Sequence, residues 1–188
     1  MEKEGQFQKA KEYFLKALQA QPNSYLVQLH LGNLLAETGD LFEATKNYSE
    51  AMRLHPANAM AHFVRNVQLQ PENALAHFQL ANALATQEKR PEAIKSLEHA
   101  IRLNTNFWEA RYLLGVELAV QDNAKDAEVQ FSEVIRVNPG FAPAHFNLGV
   151  ALAKLGRVGD AVQQFRETLR LDPQHRLASQ YLQSIVQP

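Results

Sequence analysis

The sequence contains no cysteine among its 188 residues. Disulfide bridges and thiolate metal sites are therefore excluded. Neither sign of charge is in excess, because 19 Lys and Arg residues stand against 20 Asp and Glu residues. A chain without a basic surplus has no general electrostatic attraction to nucleic acid or to an anionic membrane, so we expect no nucleic-acid partner.

Long apolar runs are also lacking. No stretch approaches the roughly 20 residues that a membrane-spanning helix needs, and the first five residues carry no apolar signal core. We therefore expect no membrane insertion. The composition, with 46% hydrophobic and 21% charged residues, is typical of a soluble folded chain. We favour the cytoplasm as its compartment, and the periplasm stays open because a thiol-free protein functions in both.

An internal repeat of 34 residues organises the chain. Residues 29–56, 78–105, 112–139 and 146–173 align with one another. One equivalent position is alanine in every unit, and another is proline in all but one. The alanines are Ala10, Ala44, Ala93, Ala127 and Ala161; the prolines are Pro22, Pro56, Pro139 and Pro173, with Thr105 in place of the fifth.

Each unit has the pattern of two helices. In the first full unit, Leu31 and Leu35 recur at helical spacing, and Gly39 suits the left-handed residue that follows a helix end. Asp40 is placed to cap a second helix, which Pro56 ends.

Small residues recur in the first helix of each unit. They are Gly32, Ala81, Gly115 and Gly149. A glycine inside a helix costs about 1 kcal/mol relative to alanine. Its recurrence predicts a close approach of two helices, with Ala44, Ala93, Ala127 and Ala161 as the small residues on the facing helix.

These features resemble the tetratricopeptide repeat (TPR) family: the Leu-Gly pair, the alanine of the second helix, the aromatic residue four positions later and the closing proline. The resemblance implies an all-α fold, a right-handed superhelical solenoid of antiparallel helix pairs. One departure concerns the position three residues before the leucine, which is often aromatic in the family. It is occupied here by Gln28, His77, Arg111 or His145.

The repeat is interrupted between Ala44 and Ala93, which are 49 residues apart. Residues 56–63 closely match residues 71–78, only 15 positions later. Residues 59–63 therefore resemble the start of a first helix and residues 66–71 the end of a second. Either the protein carries a deletion, or residues between Phe63 and Asn66 are missing from the sequence; we favour the second explanation.

The resulting organisation is one TPR array with irregular ends. We expect a half repeat with only a second helix at 1–22, full repeats at 23–56, 72–105, 106–139 and 140–173, an incomplete repeat at 57–71, and a C-terminal capping helix at 174–188. The half repeat suggests that the sequence begins inside a longer array. The capping helix is expected to use Leu177, Tyr181, Leu182 and Ile185.

First helices line the concave groove in the family, and this implies a peptide-binding surface. The predicted groove residues are Leu29, Asn33, Glu37, Phe63, Phe78, Asn82, Tyr112, Val116, Phe146, Val150 and Lys154. We expect Phe78, Tyr112 and Phe146 to be its main anchors. The family's clamp for a terminal carboxylate is not expected, because Leu29, Leu75 and Gln79 stand where its basic residues belong.

No phosphate-binding glycine loop, zinc-protease motif or serine-hydrolase motif is present in the sequence. His62, His77 and His145 share one repeat position, and we favour packing over metal binding because they lie a repeat apart. Arg53, Arg102, Arg136 and Arg170 recur near second-helix ends, where the helix dipole explains them without RNA. We therefore predict no enzyme activity, no catalytic or metal-binding residues and no cofactor.

The favoured function is a scaffold that binds a protein or peptide in its groove. A first alternative is a recognition segment of a larger enzyme whose catalytic domain lies outside this chain. A second alternative is a scaffold that self-associates into a homo-oligomer through its uncovered N-terminal helix.

Overall fold

A computed structural model describes residues 2–186, with the side chains of residues 5–185. These residues form eleven α-helices and no strand, which confirms the expected all-α class. The helices are α1 (Glu2–Ala20), α2 (Tyr25–Glu37), α3 (Leu41–Leu54), α4 (Pro56–Leu69), α5 (Ala74–Thr86), α6 (Arg90–Leu103), α7 (Trp108–Val120), α8 (Ala124–Val137), α9 (Ala142–Lys154), α10 (Val158–Leu171) and α11 (Arg176–Val186).

The chain divides into two compact units. Unit 1 is Met1–Asn104 and unit 2 is Thr105–Pro188. In unit 1, α2 packs on α3 and α5 on α6; in unit 2, α7 packs on α8 and α9 on α10. The sequence period predicts full repeats at 23–56, 72–105, 106–139 and 140–173, and these bounds stay a prediction.

A tight turn joins the two helices of each pair. After α2, Gly39 has a φ of 87°, and the Asp40 amide donates a hydrogen bond of 2.9 Å to the carbonyl of Leu35. The Asp40 carboxylate then accepts from the Glu43 amide at 3.3 Å, as the sequence predicts for a cap. The equivalent left-handed residues are Glu88, Asp122 and Gly156.

The recurring glycines leave room for an aromatic ring rather than for the facing alanine. A Cβ atom at Gly149 would lie 2.7 Å from Cε1 of Phe165, and one at Gly32 would lie 2.6 Å from Cε1 of Tyr48. The predicted close approach is therefore present, but its partner is the ring four positions after the alanine. The alanines themselves are fully buried.

The position that departs from the family pattern holds the turn before three of the four pairs. Nε2 of His77 lies 2.8 Å from the carbonyl oxygen of Pro71, and Nε2 of His145 lies 3.0 Å from that of Pro139. Arg111 donates in the same way to the carbonyl of Thr105 at 3.3 Å. Each bond spans six residues, and we call it the turn bond.

The irregular segment forms one continuous helix, α4, which packs against both α3 and α5. Residues 59–63, which resemble the start of a first helix, lie in α4, and α4 begins at Pro56 because proline is tolerated in a first helical turn. Only His55 separates α4 from α3. The interpretation that residues are missing here stays a prediction, since a continuous helix is compatible with either explanation.

The first helix packs on α2, and the last packs on α10 with a further ring contact to α9. Phe14 and Leu18 of α1 contact the core of unit 1, whereas Tyr13 is 70% exposed. In unit 2, Tyr181 of α11 stacks on Phe165, with ring centroids 5.1 Å apart. Leu177, expected on the buried face of this helix, is exposed instead.

Candidate functional site

In unit 1, most of the predicted groove residues lie inside the core. Leu29 and Phe78 are each 2% exposed, Phe63 is 0% exposed, and Asn82 is buried with its amide donating to the carbonyl of Thr45. Phe63 packs edge-on against Tyr48, with centroids 5.2 Å apart. These four side chains offer almost no surface to a ligand, because the protein itself covers them.

In unit 2, four predicted groove residues line one pocket. Its volume is about 320 Å³, and we call it the unit-2 pocket. Its lining comprises Tyr112, Val116, Ala119, Val120, Ala124, Phe131, Asn147, Val150, Ala151 and Lys154. The predicted anchor Phe146 does not line it; that ring packs against His175 and Tyr181 at centroid distances of 4.6 and 5.9 Å.

Polar contacts fix the walls of the unit-2 pocket. Asn147 donates through its side-chain amide to the Tyr112 hydroxyl at 3.0 Å, and burial raises the pKa of that hydroxyl. Nζ of Lys154 lies 2.7 Å from the Asp122 carboxylate, a contact that lowers the pKa of Asp122. The apolar walls therefore carry a neutral hydroxyl and a charge-balanced ion pair.

A second pocket, the unit-1 pocket, is polar. Its volume is about 270 Å³, and its lining comprises Asn33, Glu37, His62, Asn66, Gln70, Asn73, Leu75, Ala76 and Gln79. It includes the two predicted groove residues of this unit that are not buried, Asn33 and Glu37. The residues that α4 adds were not predicted as groove residues, because their place in the repeat was obscured by the irregular segment.

A hydrogen-bond network forms beside this pocket. The Gln79 amide nitrogen donates to the Tyr48 hydroxyl at 2.6 Å and to Oδ1 of Asn33 at 3.3 Å. The Asn66 amide nitrogen donates to Oε1 of Gln79 at 3.4 Å. Burial raises the pKa of Tyr48, whose hydroxyl therefore stays neutral and donates to Asn33 at 3.1 Å.

His62 differs from the two histidines that share its repeat position. Its Nε2 atom is buried and has no hydrogen-bond partner among the described residues. The expected partner would be the carbonyl of Pro56, six residues earlier. That carbonyl lies inside α4, where it accepts from the helix backbone, and so the turn bond cannot form. Burial lowers the pKa of His62, with smaller contributions from His30 and Arg65.

Other candidate sites of the sequence acquire structural roles. Arg53, Arg136 and Arg170 each pair with the glutamate three residues earlier on the same helix. Among the residues that the structure describes, no group of three or more His, Asp and Glu side chains is placed to hold a metal ion. No helix of residues 2–186 is long and apolar enough to cross a bilayer.

Helix pairs in series, three of the four built on the same contact between a glycine and an aromatic ring, define an α-helical repeat protein. The sequence profile of the tetratricopeptide repeat matches residues 2–59, 78–131 and 112–176. The chain therefore belongs to the tetratricopeptide repeat family. A search of curated proteins gave no match.

Solved structures, two of them of TPR proteins, resemble the chain along most of its length. YrrB, described as a TPR protein with an unusual peptide-binding site, is 25% identical over 90% of this chain and 97% of its own, with a TM-score of 0.61. MamA is 25% identical over 92% of both chains, with a TM-score of 0.54. The first TPR domain of Spaghetti, bound to an HSP90 peptide, shares the fold at 20% identity over 61% of this chain and 91% of its own, with a TM-score of 0.59.

Proposed function

We propose that this protein is a non-enzymatic interaction module, and that its unit-2 pocket receives an apolar side chain of a bound peptide. The observation that carries this proposal is the apolar lining of that pocket. Val116, Val120 and Val150 form an aliphatic wall, and Val120 is 56% exposed. A concave apolar surface with few polar groups is the usual chemistry of a binding pocket.

The polar groups of the pocket suit a peptide in particular. The Asn147 amide donates to Tyr112 through its nitrogen, which fixes the orientation of the amide. Its oxygen is not used in this bond and can accept from a peptide N–H. Lys154 and Asp122 neutralise each other beside the apolar wall, so neither charge needs to be desolvated alone. The similarity to YrrB, a TPR protein with a peptide-binding site, supports the same class of ligand.

A peptide selection with two matched variants tests the proposal. A random peptide library displayed on phage is selected against the wild-type chain, and the selected peptides are measured by fluorescence anisotropy. Val120→Gln places a polar group in the pocket. Val129→Gln is its control, because Val129 is 53% exposed on α8 and does not line the pocket.

We expect Val120→Gln to weaken binding about tenfold, since losing the burial of a valine side chain costs roughly 1.5 kcal/mol. Val129→Gln is expected to leave the dissociation constant unchanged. Equal binding by both variants, or no enrichment of any peptide, would contradict the proposal.

The exposed side chains of α1 favour self-association as a second candidate. Tyr13 is 70% exposed and Leu15 is 45% exposed on this helix. Sedimentation of the wild type and of Tyr13→Lys across concentration tests it: a concentration-dependent mass that the substitution abolishes would support a homo-oligomer. A monomer at all concentrations would exclude it. A recognition role within a larger enzyme stays a prediction.

A further inference from the structure

The unit-1 pocket carries one carboxylate and no cationic side chain in its lining. Glu37 is its acidic residue, and the remaining lining is amide, imidazole and apolar. Among the described residues, the Glu37 carboxylate is engaged in no hydrogen bond or ion pair. This differs from Lys154 and Asp122 in unit 2, which neutralise each other.

One amide oxygen in this pocket stays available to a ligand. Both N–H groups of the Gln79 amide are used, toward Tyr48 and Asn33, and its oxygen accepts from Asn66. The Asn66 amide uses one N–H in this bond, and its own oxygen has no partner among the described residues. Asn66 therefore offers a neutral acceptor in the same pocket lining as the Glu37 carboxylate.

His62 contributes no positive charge to this pocket. Its Nε2 is buried without a partner in the described part of the chain, and burial lowers the pKa of the ring, which favours its neutral form. The ring therefore does not repel a cation in the pocket that it lines.

We propose that the unit-1 pocket binds the cationic side chain of a lysine or arginine in a peptide ligand. A lysine ammonium has three donors and no acceptor, and the pocket offers it the Glu37 carboxylate and the Asn66 amide oxygen as acceptors. This proposal rests on the proposed function, because the lysine or arginine belongs to the peptide that the protein is proposed to bind. It assigns a class of ligand to a site built partly by the irregular helix α4.

An anionic ligand fits the same pocket poorly. It would meet the negative charge of Glu37 and find no basic residue in the lining. Arg65, whose positive charge acts on His62, is exposed on α4 and does not line the pocket. Peptides that end in a free carboxylate are therefore expected to be excluded from this site.

Two small probes test this proposal without any partner peptide. Nα-acetyl-lysine N-methylamide and its norleucine counterpart, which lacks the ammonium group, are titrated into the full chain. The side-chain amide resonances of Asn33, Asn66 and Gln79 are followed by NMR. Glu37→Gln removes the carboxylate charge, and Glu98→Gln, an exposed residue of α6 outside the pocket, is its matched control.

We expect the lysine probe to shift the three amide resonances in a saturable way and the norleucine probe to leave them unchanged. Glu37→Gln is expected to weaken lysine binding about threefold to fivefold, the range of a solvent-accessible ion pair, and Glu98→Gln to leave it unchanged. Equal binding of the two probes, or no effect of Glu37→Gln, would overturn the proposal. A selection that yields no peptide would count against the proposed function alone, because these probes need none.

Discussion

The ring of Phe165 on α10 fills the space beside Gly149 on α9, where a side chain would otherwise lie. A Cβ atom at Gly149 would lie within 3.1 Å of three atoms of the Phe165 ring. The same contact joins Gly115 to Phe131 in the preceding helix pair. The second repeat has alanine at this glycine position, Ala81, and a leucine, Leu97, instead of the ring. Where the first helix has alanine instead of glycine, the second helix thus has a narrower side chain than an aromatic ring.

We expect Gly149→Ala to destabilise the protein by about 1–2 kcal/mol. Forcing a methyl group into a packed core costs roughly 1–3 kcal/mol, and the better helix propensity of alanine returns up to about 1 kcal/mol. Urea denaturation followed by circular dichroism measures the change. Gly159→Ala is the control, since its Cβ would meet nothing within 4 Å.

The double variant Gly149→Ala, Phe165→Leu provides a sharper measurement of the same contact. We expect the second substitution to cost less in the presence of the first than it does alone, because it reproduces the pair Ala81 and Leu97. Simple additivity of the two free-energy changes would show that the ring and the glycine are not coupled.

Glu88→Gly is expected to stabilise unit 1 by about 1 kcal/mol. Glu88 has a φ of 58°, in the left-handed region, which costs a residue with a side chain roughly 1–2 kcal/mol relative to glycine. The melting temperature should rise. The reverse change at the equivalent turn, Gly156→Ala, should lower it, because Gly156 has a φ of 77°. A fall in melting temperature for Glu88→Gly would contradict this account.

Acidification is expected to destabilise unit 1 through His62. Burial lowers the pKa of His62 in the folded protein, so between that pKa and the unfolded value of about 6.5 the unfolded chain binds more protons. The contribution of the neutral ring is therefore fully present above pH 6.5 and is lost as the pH falls through the folded pKa. The charged and titratable groups that act on the ring are His30 on α2 and Arg65 on α4, and Glu37 lines the same pocket.

Urea midpoints at pH 7.5 and pH 5.5 measure this dependence. His62→Gln should lose less stability over that interval than the wild type, because glutamine does not titrate. His99→Gln is a useful comparison, since the pKa of His99 is also lowered but that residue packs on His77 and not in the unit-1 pocket. Identical pH dependence in the wild type and His62→Gln would remove His62 from the explanation.

Phe78→Ala distinguishes a core residue from a peptide anchor. The ring is 2% exposed, and truncation of a buried phenylalanine costs about 3–5 kcal/mol. We therefore expect a large loss of stability in unit 1, read from the denaturation midpoint. A variant that keeps wild-type stability but loses peptide binding would instead support the groove role that the repeat position predicts.

The sequence was sufficient to predict the parts of the fold that follow from the 34-residue repeat. The 34-residue spacing, Gly39 with Asp40, and the recurring glycines predict the four helix pairs and their tight turns. The aromatic rings that pack on the glycines were harder to predict, because a sequence shows that two helices approach but not which side chain fills the space between them. Ala44 and Tyr48 lie one turn apart on the same face, and only the packing distinguishes them.

The candidate site was harder to predict because repeat position does not determine exposure. Leu29 and Tyr112 are equivalent in the repeat, yet Leu29 is buried and Tyr112 lines a pocket. Because segment 57–71 does not follow the repeat, the start of α4 was not predicted. The residues that α4 adds to the unit-1 pocket were therefore not predicted either. His62 was grouped with His77 by position, although the helix start at Pro56 removes the carbonyl that would have been its partner.

The missing turn bond of His62 implies two alternative starts for α4. Unwinding the first turn of the helix would free the carbonyl of Pro56 and make it available to the ring, as the carbonyl of Pro71 is to His77. With the first start, the first turn of α4 is helical; with the second, that turn is unwound and His62 forms a buried hydrogen bond. The helical turn and the hydrogen bond contribute free energies of similar size. The amide hydrogen of Ala59, bonded to the carbonyl of His55, is therefore expected to exchange faster than that of His77, which makes the equivalent bond to Asn73 at the start of α5.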